Sequence, residues 1–225
     1  MAWMPPSISE IEPHLFIGNV SSSMNRDTLR DNDITAIVSL LDGPYAKWNN
    51  PENRKLVPQA HHLFVPCLDN STMDILARMS DICDFIDRQL GNPGPARSSS
   101  SISLERHVQE EHSNKPIEEP SRASVLVHCQ LGVSRSSAVV IAYLMRKHRK
   151  GLDSTLCEVK EKRKIKPSEN FLDQLRVWEA VEYQVWKDKE KKIPKEPYQT
   201  YLDRRAVRLK AMRLTGNEPI GITSL

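Results

Sequence analysis

No stretch of this sequence approaches the roughly 20 consecutive apolar residues that cross a bilayer as a helix, so a membrane-spanning class is not expected. The opening MAWMPPSISE lacks the basic region and apolar stretch of a secretory signal, and it lacks the second-position glycine that myristoylation needs. The expected address is therefore the cytoplasm, the nucleus or both, with no membrane partner. The cysteines (Cys67, Cys83, Cys129 and Cys157) are widely spaced and form no CxxC pair. That spacing argues against a structural zinc site and against a disulfide framework. Cys83 and Cys157 fall within helical patterns and read as small buried hydrophobes. Only Cys129 stands in a polar setting that asks for a chemical explanation.

What is there suits a globular chain. Its 225 residues, 39% hydrophobic and 27% charged, suffice for one sizeable domain with extensions. The net charge of +3 is unevenly distributed: between Lys187 and Arg213 ten Lys/Arg face four Asp/Glu, a local +6 that leaves −3 for the rest. Basicity belongs to the tail rather than to the body.

Strands are expected at Pro13 to Gly18, Ile34 to Leu41, His61 to Pro66 and Ala123 to His128, with a short helix around MNRDTLRDN. Apolar residues Ile75, Met79, Ile82, Ile86 and Leu90 recur at helical spacing, with Ser71 or Thr72 able to cap that helix and Gly91 able to end it. Further helices are expected from Arg135 to His148, stopped by Gly151, from Ser154 to Lys164, and from Asn170 to about Lys189. In the last of these, Phe171, Leu175, Trp178, Val181, Val185 and Trp186 make the apolar stripe. Strands alternating with helices indicate an α/β domain around one sheet. Residues 91–122, rich in Pro, Ser and Glu with almost no periodic apolar face, read as a disordered insert.

The chemistry concentrates at Ser124 to Met145, SVLVHCQLGVSRSSAVVIAYLM. A buried strand ends in a short polar loop and the chain re-enters as a helix, which aims several backbone N–H groups and the positive end of the helix dipole at one point. That is an anion cradle, built from Gln130, Leu131, Gly132, Val133, Ser134 and Arg135. Gly132 permits the tight turn, and Arg135 offers a planar fork matched to two phosphate oxygens. Cys129 lies at the bottom of this positive concavity, where its thiolate is favoured. Ser136 is placed to hydrogen-bond that thiolate, and His128 reads as a histidine bracing the loop. Five specified positions in H-C-x5-R-S with an internal glycine match by chance in a chain this long at below about 10⁻⁴.

HCQLGVSRS resembles the signature of the cysteine-dependent protein phosphatases, and the body from Ile8 to Lys187, apart from the insert, resembles their dual-specificity branch. ISEIEPHLFIGN is similar to its opening strand segment, LFVPCLDNS to its general-acid segment and KPSENFLDQLRVWE to the helix after its signature. The resemblance implies a cysteine-phosphatase-like fold, a central mixed sheet flanked by helices with the phosphate loop between a buried strand and a helix. Asparagine often stands in that family where this chain has Ser168, a departure that bears on loop rigidity rather than on catalysis.

Cleaving a phosphoester at neutral pH needs a proton on the leaving oxygen. Asp42 sits in a DGP turn, and Asp74 falls in a helical pattern where a dipole role suffices. Asp69 follows a strand on a short loop before a helix, and the resemblance independently puts the acid there. The expected mechanism has two steps, attack by Cys129 with Asp69 as acid, then hydrolysis of the cysteinyl-phosphate with Asp69 as base. No metal or cofactor is implied. Phosphorylated proteins are the expected partners. The neutral Gln130 and Leu131 contrast with the loop lysines of phosphoinositide phosphatases, which remain an alternative, as does a module that only binds phosphorylated partners. Cys67, two residues before Asp69, points either into the core or toward Cys129.

The expected division is a catalytic domain over 8–190 and a basic C-terminal extension over 191–225. Tyr201 to Leu214 reads as a solvated helix packed on the body through Leu202, Ala206 and Leu209, or as a dock for an acidic partner. No base-stacking motif accompanies the charge, so nucleic acid is not an expected ligand.

Overall fold

The structure is a computed structural model that describes residues 4–91 and 123–216. The Ser/Pro/Glu-rich insert lies outside the described residues apart from Gly91. Five strands form one sheet: β1 (Ile8–Glu12), β2 (Leu15–Asn19), β3 (Ile34–Leu41), β4 (His62–Pro66) and β5 (Ser124–Cys129), in the order β1-β2-β5-β3-β4. β1 and β2 run antiparallel and every other pairing is parallel, so the sheet is mixed. The central position of β5 explains its unbroken apolar character, since a parallel strand covered on both faces is buried at every residue.

Helices α3 (Leu76–Gln89), α4 (Arg135–His148), α5 (Leu152–Lys162), α6 (Glu169–Ala180) and α7 (Glu196–Ala211) share the main apolar cluster with one face of the sheet. The short α1 (Arg26–Asp31) and α2 (Pro51–Leu56) cover the other face, where Phe16, Leu29, Ile34, Ile37, Val57 and Leu126 meet. Alternation along β5 therefore sends Val125, Val127 and Cys129 to the α4 side and Leu126 to the α1 side. No helix among the described residues is long and apolar enough to cross a membrane.

Several boundaries differ from the sequence expectation, each through a long-range contact or a local backbone turn. The helix expected from Ser71 starts at Leu76, and neither Ser71 nor Thr72 caps it. Its first amides are taken by Asp74 Oδ1 on Leu76 N (3.0 Å) and by Gln174 Oε1 of α6 on Ile75 N (2.8 Å). Gly91 follows its end at φ 68. Gly151 does not stop α4: Arg149 does, in the left-handed region at φ 54, with Lys150 N donating to Met145 O, while Gly151 is the N-cap of α5. α6 ends at Ala180 rather than near Lys189, because Glu182 and Tyr183 take positive φ and the chain turns back. Val185 still reaches the core, from a turn rather than a helix. Cys157 is exposed, since the buried stripe of α5 runs through Leu152, Thr155 and Val159 and leaves Cys157 on the solvent side.

α7 lies in the segment expected as a basic extension, and it packs on the body as expected, through Leu209 and the half-buried Leu202 though not through Ala206. Tyr198, Tyr201 and Leu209 are buried, and Ala206 is exposed. Tyr198 and Tyr201 belong to the same apolar cluster as β5 and α4.

Candidate active site

β5, β3 and β4 are parallel neighbours, and their carboxyl ends share one edge of the sheet. That edge of an open parallel sheet is where ligands bind. The loop from Gln130 to Ser134 leaves it and enters α4 at Arg135. Gly132 stands at φ +70, and a Cβ there would lie 2.5 Å from Gly18 O and 2.7 Å from Arg163 Nη2. Only glycine fits, for both reasons.

Each loop carbonyl with a recorded partner is held from outside the cradle. Gln130 O accepts from Val20 N (3.3 Å), Val133 O from Lys166 N (2.9 Å), and Gly132 O from Arg163 Nε (2.9 Å). Ser137 Oγ donates to Val133 O and Ser134 O at 2.7 and 2.8 Å. With its carbonyls tied back, the loop turns amides inward. Gly132 N donates to Cys129 Sγ at 3.2 Å, and the Ser136 hydroxyl donates to the same sulfur at 3.4 Å.

Cys129 is 2% exposed. Burial by itself favours the neutral thiol, but hydrogen bonds from the Ser136 hydroxyl and amide and the Val133 amide, with the charge of the Arg135 guanidinium, outweigh it. The net effect holds the Cys129 thiol below its ordinary value. Arg135 donates through Nη1 to Cys67 O at 2.9 Å, and its Nε is buried with no hydrogen-bond partner. A buried guanidinium donor without a partner is costly, and a bound oxyanion would satisfy it.

His128 lies on the opposite side of β5 and is fully buried. Its Nε2 is 2.6 Å from Ser39 Oγ on β3, and Ser39 Oγ is 2.8 Å from His62 Nε2 on β4. Arg54 Nη1 lies 3.1 Å from His62 Nδ1. Because a guanidinium can only donate, His62 Nδ1 accepts and its proton sits on Nε2. That proton goes to Ser39, whose own proton goes to His128. The relay braces the strand under the cysteine. Burial, with repulsion from Arg54, lowers His62 to about 4; burial, with repulsion from His62 and Arg135, lowers His128 to about 3. His128 is thus neutral, hydrogen-bonded to Ser39 on the neighbouring strand.

Asp69 lies exposed on the loop between β4 and α3. Cys67, in the same loop, is fully buried and belongs to the same apolar cluster as Cys129. Burial pushes the Cys67 thiol up to about 12, eased by the charge of Arg135 and reinforced by those of Asp69 and Cys129. Cys67 therefore feels the charges of all three groups. Asp74 is otherwise engaged: burial raises its carboxyl, and Oδ2 accepts from Tyr198 OH at 2.8 Å.

Sequence reasoning did not single out Arg163, which pins Gly132 and reaches Ser9 Oγ (3.1 Å) and Ser7 Oγ (3.2 Å) on the β1 side. Within KEKRKIK it looks like one more solvated charge. Nor did it single out Ser39 and His62, whose roles exist only through strand pairing. At the position of family departure, Ser168 N donates to Ser134 Oγ at 3.1 Å while its own hydroxyl is buried without a partner. Neighbouring Asn170 ties the loops instead, with Nδ2 donating to Asn70 O (2.9 Å) and Met73 O (2.8 Å).

Comparison with known proteins agrees with this geometry. The family description "Dual specificity phosphatase, catalytic domain" matches residues 116–181. The chain is 29% identical over 178 residues to the dual specificity protein phosphatase MPK-4 of Drosophila melanogaster, covering 79% of this chain and 37% of that protein. It is 29% identical over 166 residues to human dual specificity protein phosphatase 26, covering 74% of this chain and 64% of the relative. The chain thus spans less than two thirds of the length of these curated relatives. Among solved structures, the Yvh1 phosphatase domain from Chaetomium thermophilum superposes with a TM-score of 0.58 at 26% identity, over 78% of this chain and 96% of that one. Sheet order, the strand-to-helix loop around Cys129 and these likenesses converge: the chain is similar to the dual-specificity branch of the cysteine-dependent protein phosphatases.

Proposed function

We propose that this chain is a protein phosphatase that hydrolyses phosphotyrosine and phosphoserine or phosphothreonine through a cysteinyl-phosphate. The observation that carries the reading is the Cys129 thiol, held below its ordinary pKa at the base of a loop whose donors converge on it. In the first step the Cys129 thiolate attacks phosphorus and the ester P–O bond breaks. The amides of Gln130, Leu131, Gly132, Val133, Ser134 and Arg135, with the Arg135 guanidinium, hold the phosphoryl oxygens, and Asp69 gives its proton to the leaving oxygen. In the second step water attacks phosphorus, its proton passes to Asp69, and the S–P bond breaks. The thiolate leaves under the Ser136 hydroxyl, and inorganic phosphate is released. His128 orients the loop from beneath and does not titrate in the working range.

In this reading the catalytic domain covers 8–190, and its substrates are phosphorylated proteins. The neutral loop residues Gln130 and Leu131 favour a protein monoester over a multiply phosphorylated inositol headgroup. The basic segment over 191–225 docks an acidic partner, with Arg204 and Lys210 exposed on α7. The test is a panel of phosphopeptides and phosphoinositides given to the wild type and to Cys129→Ser, with mass spectrometry of the trapped enzyme. Wild type should turn over phosphopeptides and form a covalent phosphocysteine, and Cys129→Ser should bind them without turnover. Turnover by Cys129→Ser, or binding by the wild type with no covalent adduct, would overturn the proposal.

A further inference from the structure

The loop that carries Asp69 is held by the segment beyond the expected domain boundary. On its first side, Cys67 N donates to Leu41 O (2.8 Å) and Cys67 O accepts from Arg135. On its second side, α6 supplies Asn170, which binds Asn70 O and Met73 O, and Gln174, whose Nε2 donates to Met73 O at 2.8 Å. α7 then adds three contacts. Arg205 Nε donates to Thr72 O at 2.6 Å, Tyr201 OH to Met73 O at 3.2 Å and Tyr198 OH to the Asp74 carboxylate at 2.8 Å.

A nine-residue connection with no regular structure, such as residues 67–75 between β4 and α3, ordinarily samples many conformations, because ordering each residue costs about 1–2 kcal/mol. Here the carbonyls of Asn70, Thr72 and Met73 and the Asp74 carboxylate all accept hydrogen bonds from α6 or α7, and the donors from α7 are a phenol, a phenol and a guanidinium on one helix face. Tyr198 and Tyr201 are fully buried, so this face is rigidly docked. Met73 O alone accepts from Asn170, Gln174 and Tyr201. Asn170 of α6 fixes the backbone one residue after Asp69, and α7 fixes the loop from the third to the fifth residue after it.

We infer that α7 is a positioning element for proton transfer: Tyr198, Tyr201 and Arg205 hold the 70–76 loop so that Asp69 faces the leaving oxygen. This rests on Asp69 as the acid. A loosened loop would leave the thiolate and cradle intact and impair only the step that needs a proton. The loss should therefore depend on the leaving group, as it would not if α7 merely supported the fold.

The test uses the full chain with Tyr198→Phe, Arg205→Met, Arg205→Lys and the Tyr198→Phe/Arg205→Met pair, with Asp69→Asn as reference. kcat is measured on phenyl phosphate and on a nitro-activated aryl phosphate. The pair should lose about tenfold on phenyl phosphate, as for displacement of a reacting group by a fraction of an ångström, and under twofold on the activated ester. Arg205→Lys, which keeps a donor, should recover most of the single-variant loss. Hydrogen exchange at Thr72, Met73, Ile75 and Leu76 should speed up in the pair. Equal losses on both esters, no loss, or unchanged exchange would overturn the inference while leaving Asp69→Asn free to show its own leaving-group dependence. If Asp69→Asn shows none, the acid assignment falls and this inference with it. Should the pair not fold, Arg205→Met alone, at a half-buried position, carries the same expected pattern.

Discussion

Arg135 Nη1 donates to the carbonyl of Cys67 at 2.9 Å, so the arginine proposed to bind phosphate also fastens the loop that carries Asp69. One side chain thereby couples the anion cradle to the proposed acid, and a change to either loop is felt by the other.

Asp69→Asn should lower kcat by roughly 10²–10⁴ for substrates with poor leaving groups. The loss should be much smaller for an activated phenol, which departs without a proton. Steady-state rates on a series of aryl phosphates of graded phenol pKa check this; an equal loss across the series would remove Asp69 from the role of acid.

Ser136→Ala should move the acidic limb of the pH–rate profile to higher pH. The Cys129 pKa is lowered in part by the Ser136 hydroxyl, so the reactive thiolate persists to lower pH in the wild type. Without that donor the thiolate forms only at higher pH. It is also a poorer leaving group in the second step, so the cysteinyl-phosphate should accumulate. The rate of Cys129 alkylation against pH, with a pre-steady-state burst measurement, decides it. An alkylation profile identical to that of the wild type would show that the hydroxyl has no influence on the thiolate.

Acidification should destabilise the fold through His62 and His128. Both have folded pKa values below the ordinary 6.5, at about 4 and about 3. Between 6.5 and those values the unfolded chain binds protons that the folded chain excludes, so stability falls as pH drops through this window. The slope is at most about 1.4 kcal/mol per pH unit for each histidine. His62→Gln should flatten the decline of Tm between pH 6.5 and 4.5 relative to the wild type. A variant with an unchanged Tm slope would show that the titration lies elsewhere.

Gly132→Ala should cost 10²-fold or more in kcat/KM, an order set by misplacement of the cradle by about 1 Å. A Cβ at φ +70 meets backbone atoms of Gly18 at 2.5 and 2.6 Å, and neither can move as a flexible side chain would. Because the clash is local, circular dichroism should stay native. Wild-type kinetics in this variant would mean the loop has slack that the structure does not display.

HCQLGVSRS was legible in the sequence because cradle, cysteine and arginine are consecutive. A strand-to-helix turn is a local event whose amides, dipole and glycine act within a few residues of one another. The strand Ile34–Leu41 and the helix Arg135–His148 were legible for the same reason, since apolar periodicity reports which face is buried. Tertiary structure alone decided where α3 starts, because Gln174 from another helix takes its first amides. It likewise paired Ser39 with His62 and His128 through parallel strand register, turned Arg163 from a surface charge into the pin of Gly132, and set α7 against the Asp69 loop. Each of these contacts joins residues far apart in the chain, between groups whose types are common on any surface. Periodicity carries no information about such pairs. Only the packing of the sheet against its helices selects them.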